Sequence, residues 1–389
     1  MAFEAPIPLP GPLASTALLH LTCILSLSLP PFPLRAALFV PPIILLAIAT
    51  HASPTDPTNP QLTYAIGSLW PLYLSTLSQH LLLPASPETH LHLRTDKPGD
   101  AATWGFSLRK VLWSTKLFLD QRGVGWNFRV KGVAPAPGKK KIGRWEFVLE
   151  RAVWGAVLAV AYDFCHEFVV TGYKIPDARG GGGGGYVSAR EGGFIRRFAI
   201  AVVNFAGIEL NHVFCSVLVV AVGLYEPEDW PPLFGPLTSI TSIRNFWGTF
   251  WHQTIRRTLT LLSTSPFVPL PKTYATAITL SFLTSGLFHA LPLLVMPPFS
   301  RSTIPYGILA FYFLQPLGIL LESLFSSAFH KGKSTAWTRT AGRIWTALWF
   351  NYTLPLFWND MFAVGMMDGN SLLVSVAGVV RRWWYNAHN

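Results

Sequence analysis

The sequence predicts an all-α, polytopic integral membrane protein with about eight transmembrane helices, and with re-entrant or amphipathic segments around a buried chamber. Half of the 389 residues are hydrophobic and only 13% are charged, whereas soluble domains carry about 25% charged residues. The hydrophobic residues form runs of about 20, the length that crosses a bilayer as a helix. Because no separate polar domain interrupts these runs, we expect a single membrane-embedded domain over residues 1–389.

Eight apolar runs are the predicted spans. The first two are slightly short and are separated by a proline-rich turn, and the third contains Pro71, which predicts a kink. Glu4 is the only charge before Arg35, so the first run lacks the basic start of a cleavable signal peptide. We therefore expect a retained anchor and a multi-pass protein of the endoplasmic reticulum. In chain order, the predicted spans are residues 13–29, 34–50, 62–83, 147–171, 194–224, 273–297, 302–322 and 343–366.

The longest polar stretch, residues 84–146, is strongly basic. It contains twelve Lys or Arg residues and five acidic residues, and excess positive charge between spans predicts a cytosolic loop. Within it, Phe106 to Leu119 alternates apolar and basic residues at helical spacing. This pattern fits an amphipathic helix on the membrane surface or an ordinary solvated loop helix, and the sequence favours neither.

Ionisable residues inside two predicted spans indicate a polar cavity or the membrane boundary, because such groups are unfavourable in hydrocarbon. The fourth span contains a cluster on one helix face, and Glu209 and His212 in the fifth span are close enough to pair. The cluster matches no sharp metal-ligand signature, so no metal is expected. The members of the cluster are Asp163, His166 and Glu167.

Three other classes of site find little support. The run Gly180–Gly185 lacks the Gly-Lys-Ser/Thr ending of a phosphate-binding loop. The three cysteines have neither metal-ligand spacing nor an obvious disulfide pairing. The net charge of +11 is scattered between spans without a groove-reading motif, so nucleic acid is not an expected partner.

Two histidines stand out near the centre of the chain. His252 ends an aromatic block, Phe246 to Trp251, and His289 lies near the middle of an apolar run of spanning length. An intramembrane histidine is a candidate functional group, although it could also simply bond a backbone carbonyl across a helix interface. We expect a short helix from about Ser242 to Leu262 to carry the block.

The block from Asn245 to Gln253, followed by the intramembrane His289, resembles the membrane-bound O-acyltransferase superfamily. The similarity is strongest to its wax-synthase-domain branch, which includes fungal acetyltransferases of terpenoid pathways. In sterol and diacylglycerol acyltransferases of the superfamily, an asparagine takes the place of His252. Weaker parts of the resemblance extend it over roughly residues 110–325; these are residues 122–127, Gln315-Pro316 and Glu322.

The resemblance implies an acyl-CoA-dependent O-acyltransferase, with acetyl transfer favoured, that esterifies a hydroxyl of a hydrophobic acceptor such as a terpenoid or other secondary metabolite. Acyl-CoA, favoured as acetyl-CoA, is then a co-substrate, and no permanently bound cofactor is expected. The other partners are the acceptor alcohol and the lipid bilayer. Transfer of long acyl chains to a fatty alcohol (a wax ester) or to a sterol is an alternative. A membrane transporter is the alternative from another class, although no inverted repeat supports it.

The same resemblance implies roles for individual residues. His289 is the catalytic base, and His252 orients the acyl carbonyl or stabilises the developing oxyanion. Arginine suits the phosphates of CoA because guanidinium binds phosphate in two-point geometry. We expect His252 and His289 to face one buried reaction chamber within about 10 Å of each other. The predicted acyl-CoA-binding residues are Arg244, Asn245, Trp247, Trp251, Gln253, Arg256 and Arg257.

Overall fold

The computed structural model is helical throughout the residues that it describes, and an isolated bridge between Leu93 and Trp126 is the only β pairing among them. The described residues are 11–83, 86–133, 142–172, 193–299, 303–329, 335–367, 375–380 and 383. The glycine run at residues 180–185 lies outside them. The helices are α1 Pro12–Ser28, α2 Arg35–Thr50, α3 Pro60–Gly67, α4 Trp70–Leu81, α5 Pro87–His90, α6 Asp100–Thr103, α7 Leu108–Leu119, α8 Arg144–Gly172, α9 Gly193–Ala221, α10 Ile243–Asn245, α11 Arg256–Thr264, α12 Tyr274–Ala290, α13 Tyr306–Phe329 and α14 Ala336–Ala363.

Four of the described helical segments are long and apolar enough to cross a membrane, and they coincide with the fourth to seventh predicted spans. Helices α1 and α2 are apolar but contain only 17 and 16 residues. Helix α14 is long but carries Arg339, Arg343 and Asp360. The described residues thus confirm the all-helical prediction and are consistent with a membrane protein, while the count of eight spans stays a prediction. The four segments are Arg144–Val170, Gly193–Ala221, Tyr274–Val295 and Tyr306–Phe325.

The third predicted span is interrupted next to Pro71, where the sequence predicts a kink, but the interruption is a complete break between two helices. Helix α3 ends at Gly67, and α4 begins at Trp70 with Pro71 in its first turn, where the missing N–H has no cost. A Cβ atom on Gly67 would come within 2.5 Å of the Pro292 ring. The break therefore lies where a neighbouring turn packs closely against the backbone.

The described chain forms two compact units. Unit 1 comprises Met1–Lys131 and Gln253–Pro316, and unit 2 comprises Gly132–His252 and Leu317–Asn389. Helix α13 begins in unit 1 and ends in unit 2. The assignment of the whole chain to a single domain stays a prediction.

Helix α7 in unit 1 packs against the protein through one face. Ser107 caps its first turn by accepting a hydrogen bond from the backbone N–H of Lys110. Trp113 and Leu117 are buried in a core cluster with Leu27 of α1, which excludes a fully solvated loop helix. The opposite face exposes the side chains of Leu108, Leu112 and Leu119, as a helix at a membrane surface would, and that location stays a prediction.

A buried ion cluster joins α7 to the start of α2. Glu88 is fully buried and accepts hydrogen bonds from Arg35 Nη2 at 2.9 Å and from Lys110 Nζ at 3.1 Å. Burial acts to raise the pKa of Glu88, but the hydrogen bond and charge of Arg35, together with the charge of Lys110, lower it. Because Arg35 directly follows the α1–α2 turn, residues 86–110 lie at the same end of α1 and α2 as that turn. Three spans are predicted before residue 84. A chain that crosses the membrane three times leaves on the side that it reached after the first crossing, which is the side of the α1–α2 turn.

Unit 2 is built on the packing of α8 against α9, with Leu158, Ala206 and Val213 in its core. Glu209 forms an ion pair with Arg151 at 3.6 Å. The charge of Glu209 is therefore balanced without the predicted pairing with His212.

The polar cluster of α8 also has partners inside unit 2. Asp163 accepts the backbone N–H of Ala377 at 2.8 Å, and His166 stacks on Tyr162. These contacts hold Asp163 and the ring of His166 in place within unit 2. No group of three metal-ligating side chains lies together in the described part of the chain.

Candidate active site

The aromatic block adopts a π-helical turn, so the predicted continuous helix from Ser242 to Leu262 is wrong. The turn spans Phe246–Phe250, the chain is extended at Trp251, and α11 starts only at Arg256. The N–H of Trp251 bonds the carbonyl of Phe246 at 2.7 Å, which places the two rings in a stack with centroids 5.4 Å apart. Local sequence could not predict this because π-turns depend on packing, and they are frequent at functional sites.

Glu322 anchors the start of this segment. Its two carboxylate oxygens accept the backbone N–H groups of Ile243 at 2.7 Å and of Arg244 at 3.2 Å. A carboxylate is favourable there because the first N–H groups of a helix have no intrahelical acceptor. Glu322, a weak part of the family resemblance, therefore holds the start of the aromatic block in place.

The first polar residues of the block are exposed. The Asn245 side chain donates to the Thr241 hydroxyl at 2.7 Å, and Arg244 precedes it on the same exposed turn. Trp247 contacts Trp251 edge to face at 5.8 Å. Arg244 and Asn245 thus lie on the accessible side of the block, whereas the two tryptophans pack within it.

His252 follows the π-turn and is half-buried among aromatic rings of unit 2. Its ring centroid lies 5.4 Å from that of Trp251 and 6.0 Å from that of Phe234. The imidazole is therefore held by rings from two neighbouring segments.

Gln253 and Arg256 belong to unit 1. Nη1 of Arg256 donates to the Gln253 side chain at 2.9 Å and to the carbonyl of Lys131 at 2.9 Å. Burial lowers the pKa of Arg256, and the nearby Tyr274 opposes this effect. Since the chain before α11 is not helical, Arg256 does not lie one helical turn beyond His252, as the sequence had suggested. Residues 86–131, the described part of the basic stretch 84–146 that belongs to unit 1, are called the basic segment below. Arg256 joins the end of this basic segment to the start of α12.

Arg257 is more deeply placed than Arg256. Its guanidinium lies 3.7 Å from the centroid of the Phe128 ring, and the side chain is buried. Burial lowers the pKa of Arg257 to about 10, and the charge of Asp120 opposes this effect, so the group stays charged at neutral pH. Arg257 therefore holds the segment 120–131 against α11.

His289 lies one residue before the end of α12 and is bonded within its own helix. Nδ1 is 2.7 Å from the carbonyl oxygen of Ser285, one turn earlier. A carbonyl can only accept, so Nδ1 carries the proton and Nε2 is the nitrogen with the lone pair. The carbonyl is not across a helix interface, which was the alternative that the sequence left open.

Aromatic side chains surround His289. The Tyr312 ring lies 4.9 Å from the imidazole at 32°, and Trp70 meets the imidazole edge on at 5.9 Å. Trp70 also stacks on Phe288 at 4.8 Å. Sequence reasoning missed Trp70 and Tyr312, because nothing in their local sequence relates them to a histidine in another helix.

Two distances along the helices, which differ by about 6 Å, both place His289 well away from the helix ends that face the basic segment. It lies 15 residues after Tyr274, about 22 Å along α12 at 1.5 Å per residue. Its neighbour Trp70 lies 11 residues from Leu81 in α4, about 16 Å from the end that leads into the basic segment. Since Arg256 lies near both Tyr274 and Lys131, α12 starts at that same end, and His289 lies deep within unit 1.

The predicted site residues are distributed over both units. The convergence of His252 and His289 on one chamber stays a prediction. Unit 1 contains Gln253, Arg256, Arg257 and His289, and unit 2 contains Arg244, Asn245, Trp247, Trp251 and His252.

Comparisons with known proteins connect this site to an enzyme family. Residues 230–314, which include both histidines, match the model of the membrane bound O-acyl transferase family. The chain is 28% identical over 289 residues to acetyltransferase eriL of Hericium erinaceus, covering 71% of this chain and 73% of the relative. It is 28% identical to acetyltransferase spyB of Aspergillus fumigatus (64% and 47%) and 30% identical to acetyltransferase atnC of an Arthrinium species (68% and 65%). The chain thus spans about half the length of spyB and about two thirds of atnC.

The fold and the site define a helical protein with four segments apolar and long enough to cross a membrane, and with a half-buried histidine whose Nδ1 bonds a backbone carbonyl. The family match and these relatives make the chain similar to the membrane-bound O-acyltransferases, and among them to the fungal acetyltransferases, and they support an O-acyltransferase enzyme.

Proposed function

We propose that this O-acyltransferase moves an acetyl group from acetyl-CoA to a hydroxyl of a hydrophobic acceptor, such as a terpenoid or another secondary metabolite, in the endoplasmic reticulum membrane. The observation that carries the proposal is the 2.7 Å contact between Nδ1 of His289 and the Ser285 carbonyl. It leaves Nε2 as the basic nitrogen of an imidazole that is half-buried among aromatic rings. The acetyltransferase names of the relatives support the choice of acyl group.

In the proposed reaction, Nε2 of His289 takes the proton of the acceptor hydroxyl as the oxygen attacks the thioester carbonyl. The tetrahedral intermediate then collapses, the C–S bond breaks, and the imidazolium returns the proton to the CoA thiolate. The products are the acetyl ester and free CoA. The buried surroundings of His289 limit hydrolysis of the thioester by water.

His252 has the second role in this proposal, as the group that orients the acyl carbonyl and stabilises the oxyanion. Its aromatic contacts with Trp251 and Phe234 limit the rotation of its ring. A preorganised donor of this kind lowers the barrier because it needs no rearrangement when negative charge develops.

The CoA moiety is proposed to bind at the end of the molecule where the basic segment 86–131 meets α11 and α12. Arg256 is half-buried there and borders this surface. Arg244 and Asn245 are exposed at the start of the aromatic block and are proposed to contact the phosphates, while Trp247 and Trp251 pack against the pantetheine or acyl chain. Gln253 and Arg257 act on this site through Arg256 and Phe128, respectively.

The test is ester formation by the purified enzyme. The enzyme in lipid nanodiscs is incubated with isotopically labelled acetyl-CoA and, separately, with long-chain acyl-CoA, together with a panel of terpenoid alcohols, sterols and fatty alcohols. We expect labelled acetyl esters with wild-type enzyme and none with His289→Gln, which keeps the size of the side chain but has no basic nitrogen.

Other outcomes would contradict the proposal in distinct ways. Preference for long-chain acyl-CoA would favour wax or sterol esterification. Full activity of His289→Gln would remove His289 from catalysis. Solute flux into proteoliposomes without ester formation would support a transporter.

A further inference from the structure

The imidazole of His289 is restrained from three directions in unit 1. The Ser285 carbonyl binds Nδ1, the Tyr312 ring covers one face at 4.9 Å, and Trp70 meets the ring at 5.9 Å. Trp70 and Tyr312 are themselves buried. Such packing leaves the imidazole little freedom to rotate about χ2, a rotation that would put Cδ2 in the place of Nδ1 and break the contact with the Ser285 carbonyl.

Tyr312 reaches this position because Gly286 has no side chain. A Cβ atom on Gly286 would come within 2.8 Å of Cβ of Tyr312, so the close approach of α13 to α12 requires glycine there. Gly286 lies three residues before His289, on the turn that also contains Ser285. The approach of the helices therefore places the tyrosine ring directly beside the imidazole.

The hydroxyl groups continue this arrangement. The Tyr312 side chain lies close to that of Ser285, and Oγ of Ser285 lies 3.4 Å from Nδ1 of His289. The Ser285 carbonyl thus holds Nδ1 of His289, and the Tyr312 ring holds the face of the imidazole.

We propose that Tyr312 is a positioning residue, which keeps His289 in the Nδ1–H tautomer with Nε2 as the catalytic base. The proposal rests on the proposed function for the role of His289 in catalysis, but the tautomer can be measured without turnover. Most of the effect comes from the ring, because the carbonyl of Ser285 does not depend on the tyrosine hydroxyl.

The test combines kinetics with a direct measurement of the tautomer. Tyr312→Ala should lower kcat roughly 10²-fold, a loss that misplacement by 1 Å can cause, with KM unchanged for both substrates. Tyr312→Phe keeps the ring and should restore kcat close to the wild-type value. In ¹⁵N-histidine-labelled protein in lipid, solid-state NMR should show Nδ1 of His289 protonated in the wild type and Tyr312→Phe, and a mixture of tautomers in Tyr312→Ala. The His289 signals are assigned by their loss in His289→Gln.

Ile308→Ala is the matched control. Ile308 is fully buried one turn before Tyr312 on the same helix, so its truncation also opens the packing of α13 but removes no ring from His289. Equal losses of kcat in Ile308→Ala and Tyr312→Ala, or an unchanged tautomer in Tyr312→Ala, would overturn the proposal. A tautomer that responds as expected in an enzyme whose His289→Gln variant stays active would instead contradict the proposed function alone.

Discussion

At the scale of residues, the two histidines have different surroundings that suit different tasks. His289 is bonded through Nδ1 to a carbonyl that can only accept, which determines its tautomer. His252 follows an irregular turn and is oriented by ring contacts with Phe234 and Trp251. A group that only orients or donates can be replaced by another polar side chain, whereas a base cannot.

The first prediction follows from this difference. His252→Asn should keep a substantial part of the wild-type kcat, because an amide can still donate a hydrogen bond to an oxyanion. His252→Ala should lower kcat about 10²–10³-fold, as removal of an oxyanion donor does. Ester formation at saturating substrates measures both. Equal losses of kcat in the two variants would show that His252 transfers a proton, which an amide cannot do, and does not act only as a hydrogen-bond donor.

The second prediction concerns Arg256, which is half-buried where the basic segment meets α12. Arg256→Glu should raise KM for acyl-CoA more than KM for the alcohol, because the reversed charge repels phosphate, and added salt should reduce the difference. Arg109→Glu is the control, since Arg109 is an exposed arginine of the same basic segment. Equal effects of the two reversals on KM would indicate a general charge effect and not a CoA site.

At the scale of elements, the π-turn of the aromatic block depends on close approach by neighbouring backbone. The N–H of Gly235 bonds the carbonyl of Phe250 at 2.8 Å, and a Cβ atom on Gly235 would collide with the Thr249 carbonyl. Glu322 holds the other end of the segment through two backbone N–H groups. The turn is thus maintained by residues that lie outside the aromatic block.

The third prediction tests this dependence. Gly235→Ala should destabilise the enzyme by about 1–3 kcal/mol, the usual cost of overpacking. The reason is that the Thr249 carbonyl belongs to the backbone and cannot move away from the added methyl group without deforming the π-turn. The thermal unfolding midpoint in detergent measures the effect. Gly248→Ala is the control from within the block, since nothing lies within 4 Å of the added methyl group. Equal midpoints for the two variants would contradict the packing argument.

At the scale of the whole molecule, a membrane protein with few charges still buries an ion cluster. Glu88 joins Arg35 and Lys110 in unit 1, where each carboxylate oxygen has a cationic partner. Replacing one member of a buried ionic group leaves the others without compensation, which costs about 3–5 kcal/mol. The cluster thereby holds the basic segment 86–131, on which the proposed CoA site depends, against the membrane helices.

The fourth prediction is a pH dependence. The pKa of Glu88 is lowered in the folded protein, so its stabilisation is fully present above the ordinary carboxyl pKa of about 4.3 and is lost as the pH falls through the lower, folded-state value. The unfolding midpoint of Glu88→Gln should be lower than that of the wild type at pH 7, and the difference should shrink in acid. Glu150→Gln, at an exposed position of α8, should leave the midpoint unchanged at both pH values. A constant difference between wild type and Glu88→Gln would contradict the role of the charge.

Part of the site could be predicted because its signals are local. The apolar run around His289, the aromatic block before His252 and the basic residues near Arg256 are each visible in short stretches of sequence. The contacts that complete the site come from distant segments. Tyr312 and Trp70 reach His289 from other helices, and no periodicity in their own segments indicates it.

The sequence by itself determined the class of the molecule, its four clearest spans and its resemblance to an acyltransferase family, because composition, run length and a specific motif depend on neighbouring residues only. The tertiary structure alone decided where helices break, which carboxylate is buried and which ring restrains His289. Glu88 and Arg35 are 53 residues apart, and Glu322 and Ile243 are 79 apart. Contacts over such separations follow from how helices pack, and that packing is a property of the whole fold that no short stretch of sequence contains.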